Sequence, residues 1–135
     1  MIDSASLVSQ SMLPYERFRA WHACDELVIR VYRITNSFPS HERFGLTSQA
    51  RRAAVSAAAN IAEGSAKRGT GEFRRYLDIA MGSLSEVSYL LHVAKRLEYL
   101  SQAQWQEIDD IRSGASRLTW RLYAAVSKRK STSTA

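Results

Sequence analysis

The sequence predicts an all-α protein, an up-down-up-down bundle of four antiparallel helices. Four apolar stripes recur along the chain at steps of three and four residues, which is the spacing of one face of a helix. No segment combines β-branched residues with the period-two alternation of a strand. The segments between the stripes are short, and short connections make consecutive helices antiparallel neighbours.

Length and composition fit a single domain. The chain has 135 residues, of which 45% are hydrophobic and 24% charged, with 6 Gly and 2 Pro. These values exclude a collagen-like, low-complexity or wholly disordered chain. We expect residues 1–15 to form a flexible N-terminal segment, residues 16–128 the bundle, and residues 129–135 a basic disordered tail.

Nothing in the sequence predicts a membrane or secreted protein. No apolar run approaches the roughly 18 residues that a membrane-spanning helix needs, and the first residues do not resemble a secretion signal. The single cysteine, Cys24, excludes an internal disulfide. We therefore expect a cytoplasmic protein with no membrane partner.

The first two helices are predicted from their stripes and end signals. The first runs from Glu16 to Asn36 and ends before Pro39, because a residue that precedes proline is disfavoured in helical geometry. The second runs from Ser48 to Glu63, with Thr47 as N-cap and Gly64 as stop. Its inner face consists mainly of alanine: Leu46, Ala50, Ala53, Ala54, Ala57 and Ile61.

The third helix is predicted to be the longest, from Gly71 to Tyr99 with Thr70 as N-cap. A heptad seam runs along it: Phe73, Leu77, Ala80, Leu84, Val87, Leu91 and Ala94. A second seam lies beside the first: Ile79, Gly82, Glu86, Leu90, Val93 and Leu97. Two seams indicate that this helix is covered on more than one side.

The fourth helix begins at the clearest local signal in the chain. Ser101 and Gln104 form a capping box, and Leu100 and Trp105 are spaced as a hydrophobic staple. We expect the helix to run to about Lys128. Its seam is Ile108, Ile111, Ala115, Leu118, Leu122 and Ala125.

The outer face of the second helix predicts self-association. A surface helix of a monomer normally carries a charged outer face, whereas this helix has small residues on almost every side. We interpret the outer face as a subunit interface; the alternative is that surface alanines have no such meaning. The predicted interface residues are Val55, Ala59, Ala62, Arg52, Asn60 and Glu63. The three polar ones are expected to form hydrogen bonds with one another in a half-buried network. Trp120 and Tyr123 of the fourth helix, as candidate exposed aromatics, add weak support for self-association.

The charge pattern suits an RNA or DNA partner. Lys and Arg number 19 against 13 Asp and Glu, for a net charge of +6, and 15 of the cations are arginines. Arginine makes bidentate contacts with phosphate and stacks on planar groups. The alternative is that these arginines serve protein interfaces and internal ion pairs.

Four cations around the start of the third helix form a candidate anion site. Lys67 and Arg68 lie in a loop that contains glycine, and Arg74 and Arg75 lie in the first turn of the helix. Free backbone N–H groups and the positive end of the helix dipole favour an anion there. Arg51, on the second helix, is a fifth candidate nucleic-acid-binding residue. The alternative is an ordinary solvated loop whose arginines pair with the acidic residues Glu72 and Asp78.

No catalytic arrangement is found, and we predict a protein that is not an enzyme and has no cofactor or metal. No glutamate has a histidine three residues later, so the di-iron motif of helical bundles is missing. The Gly64–Gly69 spacing is not followed by the Lys-Ser/Thr pair of a phosphate loop. Cys24 lies on the apolar stripe of the first helix and fits a small core residue.

Several blocks of the sequence resemble one family. They are Phe38-Pro39, Glu42, residues 44–49, 51–56 and 60–64, Phe73, Tyr76-Leu77, Ile79-Ala80, residues 82–84 and Glu86, with Trp21, Leu27 and Tyr32 in the first helix. In these blocks the chain resembles the four-helix-bundle proteins encoded in intervening sequences of bacterial 23S ribosomal RNA genes, over about residues 15 to 126. It departs at Ala57-Ala58, where that family usually has isoleucine and proline, so the second helix should be straight.

The resemblance implies a bundle that assembles into a ring-shaped homopentamer and has no enzymatic activity. It also implies kinship with the accessory proteins of diversity-generating retroelements, which are basic pentamers that associate with reverse transcriptase and nucleic acid. Two functions stay open. One is a non-enzymatic, homo-oligomeric RNA-binding or adaptor protein, and the other is an oligomeric protein-interaction scaffold with no nucleic-acid role.

Overall fold

The computed structural model describes the backbone of residues 13–133 and the side chains of residues 13–129. Its helices are α1 Arg19–Thr35, α2 Leu46–Ser65, α3 Thr70–Arg96 and α4 Gln102–Ser133, with 3-10 turns at Pro14–Arg17 and Ser40–Glu42. Residues 13–133 contain no strand. The prediction of an all-α protein with four helices is therefore confirmed.

Each helix packs against two others, so that one apolar core lies between all four. α1 contacts α2 and α4, and α3 contacts the same two helices. The predicted seam of α3 is buried from Leu77 to Ala94, and Phe73 is half-buried at its start. The alanine-rich inner face of α2 is buried along its whole length, as predicted. Small side chains on α2 let the neighbouring helices approach its backbone closely.

The seam of α4 departs from the prediction toward its end. Ala125 is exposed, while Thr119 and Val126 are buried in the core. Thr119 and Val126 each lie eleven residues after a buried residue, Ile108 and Ala115 respectively. An eleven-residue step matches the true helix period more closely than a heptad does, so the buried face drifts away from the predicted seam. The Thr119 hydroxyl donates to the carbonyl of Ala115 at 2.8 Å, which allows this polar group to be buried.

The start of α2 is capped by a residue that the sequence analysis did not identify. Glu42 Oε1 accepts the backbone N–H of Leu46 at 3.2 Å, and Glu42 Oε2 accepts the Tyr99 hydroxyl at 3.0 Å. The first bond, then the second, lowers the pKa of the Glu42 carboxyl. Thr47 is buried inside the helix and Gly45 precedes its first residue, so the prediction of Thr47 as N-cap is wrong.

Gly64 lies inside α2 rather than after it, so the prediction that it stops the helix is wrong. A Cβ at Gly64 would lie 2.6 Å from Tyr76 Cβ and 3.1 Å from Phe73 Cδ1. The glycine is needed because α3 passes too close for any side chain. The chain turns later, at Gly69, whose φ of 87° suits glycine.

α3 ends at Arg96, three residues before the predicted Tyr99, in a Schellman motif. Tyr99 N–H donates to the carbonyl of Ala94 at 2.9 Å, and Glu98 N–H donates to that of Lys95 at 2.9 Å. Glu98 occupies the left-handed position of this motif with a φ of 63°. Glycine normally fills that position, because a Cβ is strained there.

Glu98→Gly is therefore expected to stabilise the protein, by about 0.5–1 kcal/mol. The substitution removes the left-handed strain without disturbing a buried group. Chemical denaturation would measure the change in unfolding free energy. Glu98→Ala is the control, because it removes the same carboxylate and keeps the Cβ. If the alanine variant gained as much stability as the glycine variant, backbone strain would not be the cause.

The fourth helix begins at the predicted signal and extends beyond its predicted end. The capping box at the start of α4 is confirmed, with Gln104 N–H donating to Ser101 Oγ at 3.1 Å and Ser101 N–H to Gln104 Oε1 at 2.9 Å. α4 continues to Ser133, through most of the tail predicted as disordered at residues 129–135. Of the predicted flexible segment, residues 1–12 lie outside the described residues. Tyr15, the last residue of that segment, is described, and its ring centroid lies 4.5 Å from that of Trp21.

Candidate functional site

Eight cations from four separate segments lie at one end of the bundle. The ring of Phe18, just before α1, lies 5.4 Å from that of Phe73 in the first turn of α3. A cleft of about 270 Å³ joins the start of α1 to the second half of α4. We call this surface the basic end and define it as Arg17, Arg19, Lys67, Arg68, Arg74, Arg75, Arg117 and Arg121.

Most of the positive charge at the basic end is not neutralised by the described part of the chain. Arg75 is the one member with a carboxylate oxygen within 4.0 Å among these residues, at 3.3 Å from Glu72 Oε1. Their hydrogen bond lowers the pKa of Glu72 and raises that of Arg75. Both groups are exposed, so this pair adds little stability. The other seven cations have no such partner in residues 13–129, so the basic end favours an anionic ligand.

Tyr76 organises two of these cations. The Arg75 guanidinium lies 4.6 Å from the Tyr76 ring centroid, and the Lys67 ammonium lies 5.6 Å from it. Cation–π attraction of this kind holds both groups beside the start of α3. Lys67 of the loop and Arg75 of α3 are therefore held beside the same ring.

The structure brings four of the five predicted nucleic-acid-binding residues together and separates the fifth. Lys67, Arg68, Arg74 and Arg75 all belong to the basic end. Arg51 lies fourteen residues before the end of α2, a distance of about 21 Å along the helix. Arg51 therefore lies apart from the basic end, and its role in nucleic-acid binding stays a prediction.

Arg51 instead fastens α2 to the end of α1. It donates from Nε to Thr35 Oγ1 at 2.9 Å and from Nη2 to Asn36 Oδ1 at 3.1 Å. The same guanidinium lies 4.7 Å from the ring centroid of Tyr32. Its Nε and Nη2 donors are therefore used within the chain, which gives Arg51 a structural role between α1 and α2.

The sequence analysis missed four members of the basic end: Arg17, Arg19, Arg117 and Arg121. A signal for two of them was present, because no Asp or Glu follows Asp110 while six cations do. Arg17 and Arg19 had no comparable signal. Their place beside α4 depends on how the helices pack, since about a hundred residues separate them along the chain.

The outer face of α2 is the second candidate surface. Val55 is 41% exposed, and Ala59, Arg52 and Glu63 are also exposed, while Asn60 and Ala62 are half-buried. A groove of about 550 Å³ runs beside this face. Its walls are Tyr32 of α1, Gln49, Arg52, Ala53, Val55 and Ser56 of α2, and Glu86 of α3.

The polar network on α2 differs from the predicted one. Asn60 Nδ2 donates to the carbonyl of Ser56 at 2.8 Å, and Ser56 Oγ lies 2.8 Å from Ser83 Oγ. The bond between the two serines links α2 to α3. The expectation that Arg52, Asn60 and Glu63 satisfy one another is therefore corrected for Asn60, whose partner is one helical turn away on its own helix.

Cys24 and the acidic groups offer no reactive or metal-binding centre among the described residues. Burial raises the pKa of the Cys24 thiol to about 11, so it stays protonated. No group of three His, Cys, Asp or Glu side chains in residues 13–129 is placed to hold a metal ion. Over the described residues, none of the helices has the length and apolarity that crossing a membrane requires.

These features define a small helical-bundle protein with a basic end and an exposed outer face on α2. The family model "23S rRNA-intervening sequence protein" matches residues 16–120, and the chain belongs to this family. α2 runs without interruption through Ala57 and Ala58, the point at which the sequence departs from the usual pattern.

One solved structure shows the same fold. It is the crystal structure of a protein of unknown function from the S23 ribosomal protein family of Bacteroides thetaiotaomicron VPI-5482. The two chains are 22% identical, with a TM-score of 0.73 over 78% of this chain and 95% of the other. No curated protein matches the chain.

Proposed function

We propose that this protein is a cytoplasmic, non-enzymatic RNA-binding protein that acts as a ring-shaped homo-oligomer. In this proposal the helices form an up-down-up-down bundle, and the basic end holds the RNA phosphates. One observation carries the proposal: of eight cations gathered at one end of the bundle, seven have no carboxylate within 4.0 Å among the described residues.

Phosphate is the ligand that this surface fits best. Seven of the eight cations are arginines, which make paired, parallel hydrogen bonds with phosphate oxygens. Such contacts release counterions, and the binding weakens as salt rises. Contacts with phosphate alone carry no sequence information, so the basic end would recognise the RNA backbone.

The outer face of α2 supports the assembly. A ring is built from two different surfaces that face each other in successive subunits. The groove beside Val55 has an arginine, Arg52, on one wall and a glutamate, Glu86, on another, so opposite charges are available for a neighbouring copy. The number five comes from the resemblance. Five copies would pool a net charge of +30, five times +6, and strengthen attraction to RNA.

The double variant Arg74→Ala/Arg75→Ala tests the RNA site. We expect weaker binding to structured RNA and a salt slope that is smaller by roughly 1.4–1.8, because two phosphate contacts are lost. Fluorescence anisotropy across a range of salt concentrations would measure both quantities.

The matched control is Arg33→Ala/Arg43→Ala, which removes two exposed arginines outside the basic end. This control lowers the net charge by the same amount as Arg74→Ala/Arg75→Ala and should leave the salt slope of RNA binding nearly unchanged. Equal losses in both double variants would show that only net charge matters. An unaltered affinity and slope in Arg74→Ala/Arg75→Ala would contradict the site.

A comparison with heparin separates RNA binding from the scaffold alternative. An RNA-binding protein should hold structured RNA more tightly than heparin of equal charge. Equal or weaker binding to RNA would favour an acidic protein partner instead. The kinship with retroelement accessory proteins, and a reverse transcriptase as partner, stay predictions of the resemblance.

A further inference from the structure

Trp120 and Tyr123 form an aromatic pair on α4, in which Trp120 is exposed and Tyr123 is half-buried against the core. Their ring centroids are 5.5 Å apart and their planes differ by 16°, so the rings are stacked and nearly parallel. Trp120 is 56% exposed. The exposed indole of Trp120 therefore offers a flat aromatic face on which another ring can stack.

The part of α4 that carries this pair is basic. Arg117 lies one helical turn before Trp120, and Arg121 follows it directly. Arg121 also lines the cleft of about 270 Å³ that it shares with Arg17 and Arg19. No acidic residue occurs in the chain after Asp110. The aromatic pair therefore lies within a field that attracts anions.

We propose that the Trp120–Tyr123 pair is a stacking platform for an unpaired base, and that the protein prefers single-stranded to double-stranded RNA. This inference rests on the proposed RNA-binding function and specifies its ligand. The face of an unpaired base can cover the indole ring of Trp120, while Arg117, Arg121 and the cleft hold the adjoining phosphates. In a duplex the bases are stacked on one another and leave only phosphates for the basic end.

A contact of this surface with the same surface of a second copy explains these aromatics less well. Trp120 lies between two arginines, so a second copy of the same surface would bring like charges together, which is unfavourable. A single-stranded nucleic acid supplies both complements, a flat apolar base and a negative backbone.

The test compares an unpaired oligoadenylate with an RNA duplex of the same length. For Trp120→Ala we expect roughly tenfold weaker binding to the single strand and a change of less than about twofold for the duplex. The salt slope should be the same as that of the wild type, because the variant changes no charge. Trp120→Phe should recover most of the single-strand affinity, since it restores an aromatic face.

Tyr89→Ala is the matched control. Tyr89 is also an exposed aromatic residue stacked on a neighbour three residues away, His92, but it lies on α3 outside the basic end. It should leave both affinities unchanged. Unfolding curves and molecular mass are recorded for every variant to confirm that the fold and assembly persist.

Four outcomes would overturn the inference. Trp120→Ala could weaken binding to the single strand and to the duplex equally, or Tyr89→Ala could weaken single-strand binding as much as Trp120→Ala does. In both cases, salt-dependent RNA binding by the wild type would leave the proposed function intact. A change in molecular mass for Trp120→Ala would assign the pair to a subunit contact. A wild-type protein that binds neither RNA would remove the inference together with the proposed function.

Discussion

Val55→Arg is expected to dissociate the proposed ring into subunits of 15.2 kDa. Val55 is exposed at the centre of the α2 outer face and lines the groove beside it. An arginine there would place a second guanidinium one helical turn from Arg52. Burying an unpaired cation in a subunit contact costs several kcal/mol, which is enough to prevent assembly while the bundle itself stays folded.

Light scattering would measure the mass, which should fall from about 76 kDa, five times 15.2 kDa, to that of one chain. Ser113→Arg is the control, because it adds the same charge at an exposed position on α4, and α4 packs on α1 and α3 rather than on α2. RNA affinity should fall with Val55→Arg as well, since the charge of the copies is no longer pooled. A wild type that is already monomeric, or an unchanged mass in Val55→Arg, would contradict the interface.

Gly64→Ala is expected to destabilise the bundle by about 1–3 kcal/mol, the usual cost of overpacking. This destabilisation is the reverse of the ordinary effect, because alanine normally stabilises a helix interior relative to glycine. The new Cβ would lie 2.6 Å from Tyr76 Cβ, and neither atom can rotate away because each is bonded directly to its backbone. The backbones of α2 and α3 must therefore separate.

Gly82→Ala provides the matched control within α3. A Cβ at Gly82 meets nothing within 4 Å, so this variant should gain about 0.5–1 kcal/mol from helix propensity alone. Urea denaturation of both variants would measure the two unfolding free energies. Changes of the same sign would show that the close approach of α2 and α3 at Gly64 has been misjudged.

Local signals predicted the helices well because their causes are close in the chain. The capping box of Ser101 and Gln104 depends on atoms three residues apart, and the seam of α3 depends on a helical period that any helix must follow. End signals were less reliable. Gly64 has the residue type of a helix stop, but its role is set by the close approach of Tyr76 of α3. Thr47 has the residue type of an N-cap, but Glu42 of the preceding turn caps the helix instead.

The candidate site was predicted in part for the same reason. Lys67, Arg68, Arg74 and Arg75 are close in sequence, so the analysis could group them. Arg51 has the same residue type, and only its bonds to Thr35 and Asn36 show that it holds α1 and α2 together.

The sequence by itself determined that this protein is helical, where its four helices lie to within a few residues, and that its charge is positive, because these properties follow from composition and short-range spacing. Only the tertiary structure decided which cations share a surface, which glycine is needed for close packing, and which aromatic residues stay exposed. Those properties depend on contacts between residues far apart in the chain. One such contact, between Phe18 and Phe73, places the start of α1 beside the start of α3 and so helps to form the basic end.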